Sequence, residues 1–365
     1  MKSLLVSVII PTFNRANMLA ITLDSFIKQN YPKDCYEIIV VNNNSTDNTQ
    51  DIIDSYVNKY PGLIKALFES RQGAHYARNS AALVSQGDLL YYTDDDMIAY
   101  PDLILNLVNV FIDNLDVASA SGKIIPKWEV EPPIWVKENL INGWLSLNDL
   151  GDDTIISEND IGVYSCHQMM RRNIFFEAGG FNPDLIAGEL VGDGETGLNI
   201  KIKNLGYKFA YVGNSVIEHM IPPSRMTQAY LNKRLANQGN CDSYTYYRAE
   251  NPSSYKLLLN SLIYLHKSYE RWSYALLRFY RKSKEMKIRY AEAYAHYYFS
   301  RFKYDLRLFV SKKWRETVMR QNWLNQSINQ SINQSINQSI NQSIKYITNI
   351  VNSNPLFVGE VCYGT

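Results

Sequence analysis

Short apolar, β-branched runs recur through the first hundred residues, and each is followed by apolar positions at helical spacing. Residues 6–10 form the first run and Pro11 ends it. A run without polar alternation marks a strand buried on both faces. Met18, Leu19, Thr22, Leu23 and Phe26 then recur three or four residues apart, which predicts a helix. The cycle repeats with a strand at 36–41 and a polar loop at 42–47. That loop offers Ser/Thr caps to a helix through Ile52, Ile53 and Val57. A weaker strand at 63–68, a helix at 73–85 stopped by Gly87, and a strand at 89–93 follow. This alternation predicts an α/β fold with a right-handed, mostly parallel sheet flanked by helices.

The strand at 89–93 runs straight into Asp94, Asp95 and Asp96. Ligands of open α/β sheets bind beyond the carboxyl ends of strands. Three acids packed there repel one another unless a cation neutralises them, and Asp94 and Asp96 are spaced to hold Mn2+ or Mg2+ through oxygen. The alternative for an isolated acidic triplet is a solvated turn. Further along, an amphipathic helix at 101–114 and a strand at 117–124 lead to a long segment, 128–153, rich in Trp and Pro. A loop of that length is expected to be functional and to lie over the site. Residues 166–172 lead into a helix that Gly179 and Gly180 end. Glu189, Asp193 and Glu195 then stand among glycines before a helix at 196–205. Two short strands, 209–212 and 216–218, bring the chain to His219, which is either a structural histidine or a further metal ligand.

Composition narrows the classes. A chain of 365 residues with 46% hydrophobic content can bury a large core and carry an appendage. Four separated cysteines without a C-x-x-C pair argue against disulfides or zinc and fit a reducing cytosol. The N-terminal apolar run lacks a small-residue cleavage site and breaks at Pro11, so it is read as a strand rather than a signal peptide. No apolar run reaches 18 residues, so a cytoplasmic protein is expected. No G-x-G-x-x-G follows the first strand, which leaves the common dinucleotide fold unsupported. The net charge of +1 conceals an asymmetry: residues 253–323 hold 16 Lys/Arg against 5 Asp/Glu, a net +11, leaving −10 elsewhere. The acidic body opposes nucleic acid as a partner.

Taken together, the motifs from about Ser7 to Gly239 resemble the family 2 glycosyltransferases, whose fold is of the GT-A type. Ser7-Val8-Ile9-Ile10-Pro11-Thr12-Phe13-Asn14-Arg15 is similar to that family's first strand and nucleotide loop. Val41-Asn42-Asn43-Asn44-Ser45-Thr46-Asp47 is similar to its second-strand motif, and Gly73-Ala74-His75-Tyr76-Ala77-Arg78-Asn79 to the helix before the D-x-D. Gly179-Gly180-Phe181 and residues 192–198 resemble its acceptor half.

The resemblance implies a GT-A domain at 1–240, split into a nucleotide-sugar half (1–125) and an acceptor half (126–240). It implies that Pro11, Thr12, Asn14, Asn42, Arg78, Asp94 and Asp95 face the donor, and that Asp96, with His219, holds the metal. Asp193 matches the general base of inverting members, and Glu195 is the alternative because Gly194 stands in a departure from the usual pattern. Asn42 departs too, standing where many relatives carry Asp. Trp144 and His167 are expected on the acceptor side. The implied activity is inverting transfer of a sugar from a nucleotide-sugar donor, UDP-linked, to a hydroxyl of a glycan or lipid-linked acceptor in surface polysaccharide synthesis. An inactive sugar-nucleotide-binding homologue and a nucleotidyltransferase are the competing readings.

Residues 241–323 form a basic, aromatic, helical region. It is read either as an appendage packed on the domain or as a peripheral contact with an anionic membrane on its cytoplasmic face. Residues 324–365 are low-complexity and tail, with Asn-Gln-Ser-Ile repeated five times from Asn325 to Ile344. A perfect four-residue period is what a four-base DNA repeat yields when translated in threes.

Overall fold

The computed structural model describes residues 4–137, 142–186, 189–190, 192–279 and 286–324; the Asn-Gln-Ser-Ile repeat and everything after it lie outside the described residues. The first half runs β1 (Val6–Thr12), α1 (Ala16–Ile27), β2 (Tyr36–Asn42), α2 (Thr49–Lys59), β3 (Ile64–Phe68), α3 (Ala74–Val84) and β4 (Leu89–Thr93). This is the alternation that the apolar pattern predicts. β5 (Met97–Ala99), α4 (Leu103–Asp113), β6 (Val117–Trp128), α5 (Ile134–Lys137), β7 (Thr154–Ser157), β8 (His167–Arg171) and α6 (Arg172–Glu177) follow. A small antiparallel pair, β9 (Leu185–Ile186) and β10 (Glu189–Leu190), precedes α7 (Gly194–Asn204) and β11 (Lys208–Ile221).

The main sheet has nine strands in the order β3-β2-β1-β4-β8-β6-β11-β5, with β7 also on β11. β1, β2, β3, β4, β6 and β11 point one way, while β8, β5 and β7 run against their neighbours. The chain adds β2 and β3 on one side of β1 and then β4 on the other. That reversal opens a crevice beyond the carboxyl ends of β1 and β4.

The β1 run is buried on both faces, as its unbroken apolar character requires. Val8 and Ile10 pack with Leu23, Phe26 and Leu107 on one side, and Ile9 packs with Ala81, Tyr92, Phe175 and Phe181 on the other. Truncating such a side chain to alanine typically costs about 2–5 kcal/mol.

Besides the short strands β5, β7, β9 and β10, which the pattern does not predict, three elements depart from the sequence-based expectation. β11 is one strand with an irregularity between Val212 and Val216, not two. Its two predicted pieces are the segments on either side of a break where Gly213 passes the Gly151–Asp152 backbone with no room for a Cβ. β6 runs on to Trp128 because β11 pairs with it along its whole length. β8 hides because its first two positions, His167 and Gln168, are polar yet fully buried.

Beyond the sheet, α8 (Gln228–Glu250), α9 (Ser254–Phe279), α10 (Met286–Val310) and α11 (Lys312–Val318) form the C-terminal helices. Thr227 caps α8 by accepting from the Tyr230 amide at 3.2 Å, and Asn251 ends it in the left-handed region. α8 passes residue 240 without a break and is joined to the helices behind it through Leu231 and Leu235, which pack on Ala293 of α10. Among the described residues no helix is long and apolar enough to cross a membrane.

Candidate active site

The strand-end acids take three different environments. Asp94 opens to solvent and receives the Arg78 guanidinium. Asp95 is buried, accepting from Thr12 Oγ1 at 2.7 Å and from Arg15 Nη1 at 3.0 Å. Burial pushes its pKa up to about 7, with the Arg15 charge only partly opposing. Asp96 is the most enclosed. Its Oδ2 accepts from Arg15 Nη1 at 2.7 Å and Arg225 Nη2 at 2.6 Å and lies 3.6 Å from His219 Nε2, while Oδ1 is buried without a hydrogen-bond partner. Burial would push the Asp96 pKa up, but the Arg225 and Arg15 guanidinium groups outweigh it, and the carboxylate stays ionised.

His219 Nδ1 donates to the Leu145 carbonyl at 2.8 Å, which fixes the tautomer and leaves Nε2 as the acceptor. Among the described residues no group of three or more His, Cys, Asp or Glu side chains is arranged to hold a metal ion. The orphaned Asp96 Oδ1 and His219 Nε2, which here accepts from Arg225 Nη1, form a partial donor set that suits Mn2+ or Mg2+ once that guanidinium moves away and a ligand supplies further oxygens.

Above the acids lies a cavity of about 290 Å³, walled by Pro11, Thr12, Phe13, Gly73, Asp94 and Arg225. A second of about 470 Å³ begins on the far side of Arg15 and reaches Asn14, Asp96 and Arg225. Phe13 is 44% exposed at the rim. Asn14 takes φ +53° and its Oδ1 accepts from the Thr46 amide at 2.7 Å, tying the first loop to the second. Asn42 is engaged at both ends of its amide, by the Ser45 amide at 2.8 Å and by Gln50 at 2.7 Å, whereas its neighbour Asn43 lines the cavity. Much of the predicted donor set therefore builds the frame of the cavity.

The residues expected on the acceptor side are reached through α3. Arg78 Nη1 lies 3.4 Å from His75 Nε2, and that nitrogen lies 3.4 Å from Glu195 Oε2. His75 Nδ1 meets Asp184 at 3.4 Å. Burial would lower the His75 pKa, but the flanking carboxylates raise it above its ordinary value. Burial likewise opposes ionisation of Glu195, yet His75 holds it down to about 2.

Gly194 makes this approach possible. It takes φ +49°, and a Cβ there would strike the His75 ring at 2.6 Å. Glu195 is 32% exposed and lines two cavities, of about 210 and 270 Å³. Asp193 is buried, with both oxygens satisfied by Asn182 at 2.7 Å and Thr245 at 2.8 Å, and burial raises its pKa.

Trp144 stands on a single 3-10 turn, Asn142–Leu145, and lines the larger of those two cavities. His167 is not brought there. It is sealed in the core, with Nδ1 accepting from Tyr91 at 2.8 Å and Nε2 donating to the Ser215 carbonyl at 3.1 Å, and burial lowers its pKa to about 4. Sequence alone does not mark Arg15, His75 or Arg225 as site residues: Arg225 sits six positions beyond His219 outside any motif, while Arg15 and His75 lie inside the first-strand and Gly73–Asn79 motifs with nothing local to show what they meet.

The mostly parallel sheet with its flanking helices is of the GT-A type. The mannosyltransferase PcManGT from Pyrobaculum calidifontis, solved with GDP-Man and Mn2+, superposes with a TM-score of 0.50 at 18% identity, covering 90% of this chain and 86% of that one. At that identity the likeness speaks for the fold alone. Residues 7–177, just under half of the chain, match the profile of glycosyl transferase family 2.

A poly(ribitol-phosphate) beta-glucosyltransferase of Bacillus spizizenii is 27% identical over 43% of this chain, and glycosyltransferase AglE of Haloferax volcanii 37% identical over 25%. These matches span 26% and 30% of the relatives' own lengths.

Proposed function

We propose that the protein transfers a glycosyl group from a nucleotide sugar to a hydroxyl of a glycan or lipid-linked acceptor, with inversion at the anomeric carbon. The observation that carries this is the short path of side chains from the cavity acid Asp94 through Arg78 and His75 to Glu195. It sets an acid-lined donor cavity beside an open carboxylate. A UDP-linked donor is the expectation the family resemblance carries.

In this reading Phe13 offers an exposed ring to the nucleobase. Asp96 and His219 would hold Mn2+ or Mg2+, which when bound offsets charge on the departing diphosphate. Arg15 and Arg225, now both on Asp96, turn to diphosphate oxygens, where guanidinium groups pair well. Glu195 accepts the proton of the acceptor hydroxyl as its oxygen bonds to the anomeric carbon and the bond to the diphosphate oxygen breaks. Asp193, held from both sides, anchors the loop that presents Glu195. The basic helices support peripheral contact with an anionic membrane: α9 exposes Leu262 by 54% and Tyr269 by 70% near Lys267.

The test is release of nucleoside diphosphate from a panel of nucleotide sugars, with Mn2+ and after EDTA treatment. Turnover of at least one donor, lost in EDTA and in Asp96→Ala, is expected. Failure of every donor to bind or turn over would overturn the reading.

A further inference from the structure

From Glu195 outward, three cavities lie in series. The cavity of about 210 Å³ shares Glu195, Thr196, Arg234 and Gln238 with that of about 270 Å³, and the latter shares Trp144 with a third of about 850 Å³. The third is built by α9 and α10 against the turn that carries Trp144. Tyr274, Tyr290, Tyr294 and Tyr298 give it four further aromatic walls, and Arg271 and Lys287 give it two cations. No carboxylate is among its described lining residues. Arg271 and Lys287 are exposed and form no ion pair among the described residues.

Three of the tyrosines follow one another by a turn of α10. Tyr290 and Tyr294 have ring centroids 6.4 Å apart, and Tyr294 and Tyr298 another 6.4 Å. That spacing is on the scale of one sugar residue. Their hydroxyls have no hydrogen-bond partner among the described residues, and Tyr294 is 38% exposed. A ladder of rings presents flat apolar faces for the C–H faces of pyranoses, and each free hydroxyl can exchange hydrogen bonds with a sugar. A hydrocarbon chain would gain nothing from those hydroxyls. The unopposed cations add attraction for carboxylate or phosphate substituents.

We propose that this aromatic cleft is an acceptor subsite for an anionic glycan, a polymer carrying carboxylate or phosphate groups, whose acceptor end reaches Glu195 past Trp144. The proposal rests on the transfer reaction above and names its acceptor class.

The test is affinity electrophoresis of the full chain, without donor, in native gels containing polygalacturonate, poly(ribitol phosphate) or dextran. Retardation by at least one anionic polymer and much less by dextran is expected. Tyr294→Ala and the double variant Arg271→Gln/Lys287→Gln should each weaken that retardation about tenfold, a loss of about 1.4 kcal/mol. Lys312→Gln/Lys313→Gln removes the same charge from α11, outside the cleft, and should leave the retardation unchanged. Equal effects of the two double variants would mean diffuse charge attraction and overturn the subsite. So would retardation by dextran as strong as by the anionic polymers, retardation by none of them, or cleft variants that bind like the parent chain. Donor hydrolysis without acceptor, measured in parallel, should be unchanged in the cleft variants. If no donor is hydrolysed while the polymers still retard the chain through Tyr294, the transfer reading fails and the glycan cleft stands.

Discussion

Arg225 Nη2 donates to Asp96 Oδ2 at 2.6 Å across 129 residues of sequence, and Arg15 Nη1 meets the same oxygen at 2.7 Å. Two guanidinium groups thus share one carboxylate oxygen at the mouth of the donor cavities, while the other oxygen has no partner. Cations crowded on one anion are poised to be shared with a second anion entering beside it.

Arg225→Ala is therefore expected to raise the donor KM about 10- to 100-fold, the loss of one or two charge-assisted hydrogen bonds at about 1.5–3 kcal/mol. Arg225→Lys should recover only part of this, because an ammonium lacks the planar fork. Initial rates at saturating acceptor across a donor titration check it. An unchanged KM would place Arg225 in a purely structural role.

At the acceptor side the two carboxylates should separate by phenotype. Glu195→Gln should lower kcat by roughly 10²–10⁴ with nucleotide binding intact, as expected for loss of a general base. Asp193→Asn should chiefly lower the melting temperature, since it replaces an acceptor held by Asn182 and Thr245. The reverse assignment of phenotypes would return the base to Asp193.

His75 should be visible in the pH profile. It holds Glu195 down to about 2, so Glu195 stays ionised through the neutral range and places no acid limb there. In His75→Gln only the Arg78 charge and a backbone hydrogen bond still oppose the burial of Glu195, and its pKa should rise. Activity of the variant should then fall as the pH drops below about 6 and recover toward pH 8. A pH-independent loss would mean that His75 serves packing alone.

Asp305, on α10, offers a stability test remote from the chemistry. It is fully buried beside Ser243 and Arg301, and burial outweighs both to raise its pKa from 3.8 to about 6. A raised folded-state pKa favours the fold while the group is protonated, and that advantage is lost as the pH rises through about 6. Asp305→Asn should be close to neutral at pH 4 and stabilising at pH 8, by at most about 3 kcal/mol. Denaturant titrations at the two pH values check both the sign and the window.

The apolar runs of β1, β2 and β4 could be read directly because both their faces are buried. The acids after Thr93 could be read because a strand end leaves them nowhere else to point. β8 could not, since His167 and Gln168 belong inside only with Tyr91, Ser119 and Asn199 brought to them from elsewhere. Local pattern carries no record of such partners. The same holds at the site. Thr12 and Asn14 were legible through their motif, but what they touch was not, and Arg225 reaches Asp96 only once β11 lies beside β6. The roles of Asp193 and Glu195 turn on which has its oxygens occupied, a three-dimensional property.

Strand β8 lies antiparallel between β4 and β6, so the two halves of the sheet meet through a segment made 78 residues after β4 begins. β6 then waits for β11, whose last residue is Ile221. A nascent chain that has just emerged as far as Glu177 possesses the whole family-matched stretch and still shows the open edge of β6 to its surroundings. Such an edge invites pairing with other chains. Closing it requires contacts between residues far apart in sequence, which makes the sheet slow to complete. Translation speed and chaperone supply, rather than the stability of the finished protein, should therefore govern how much of it a cell accumulates.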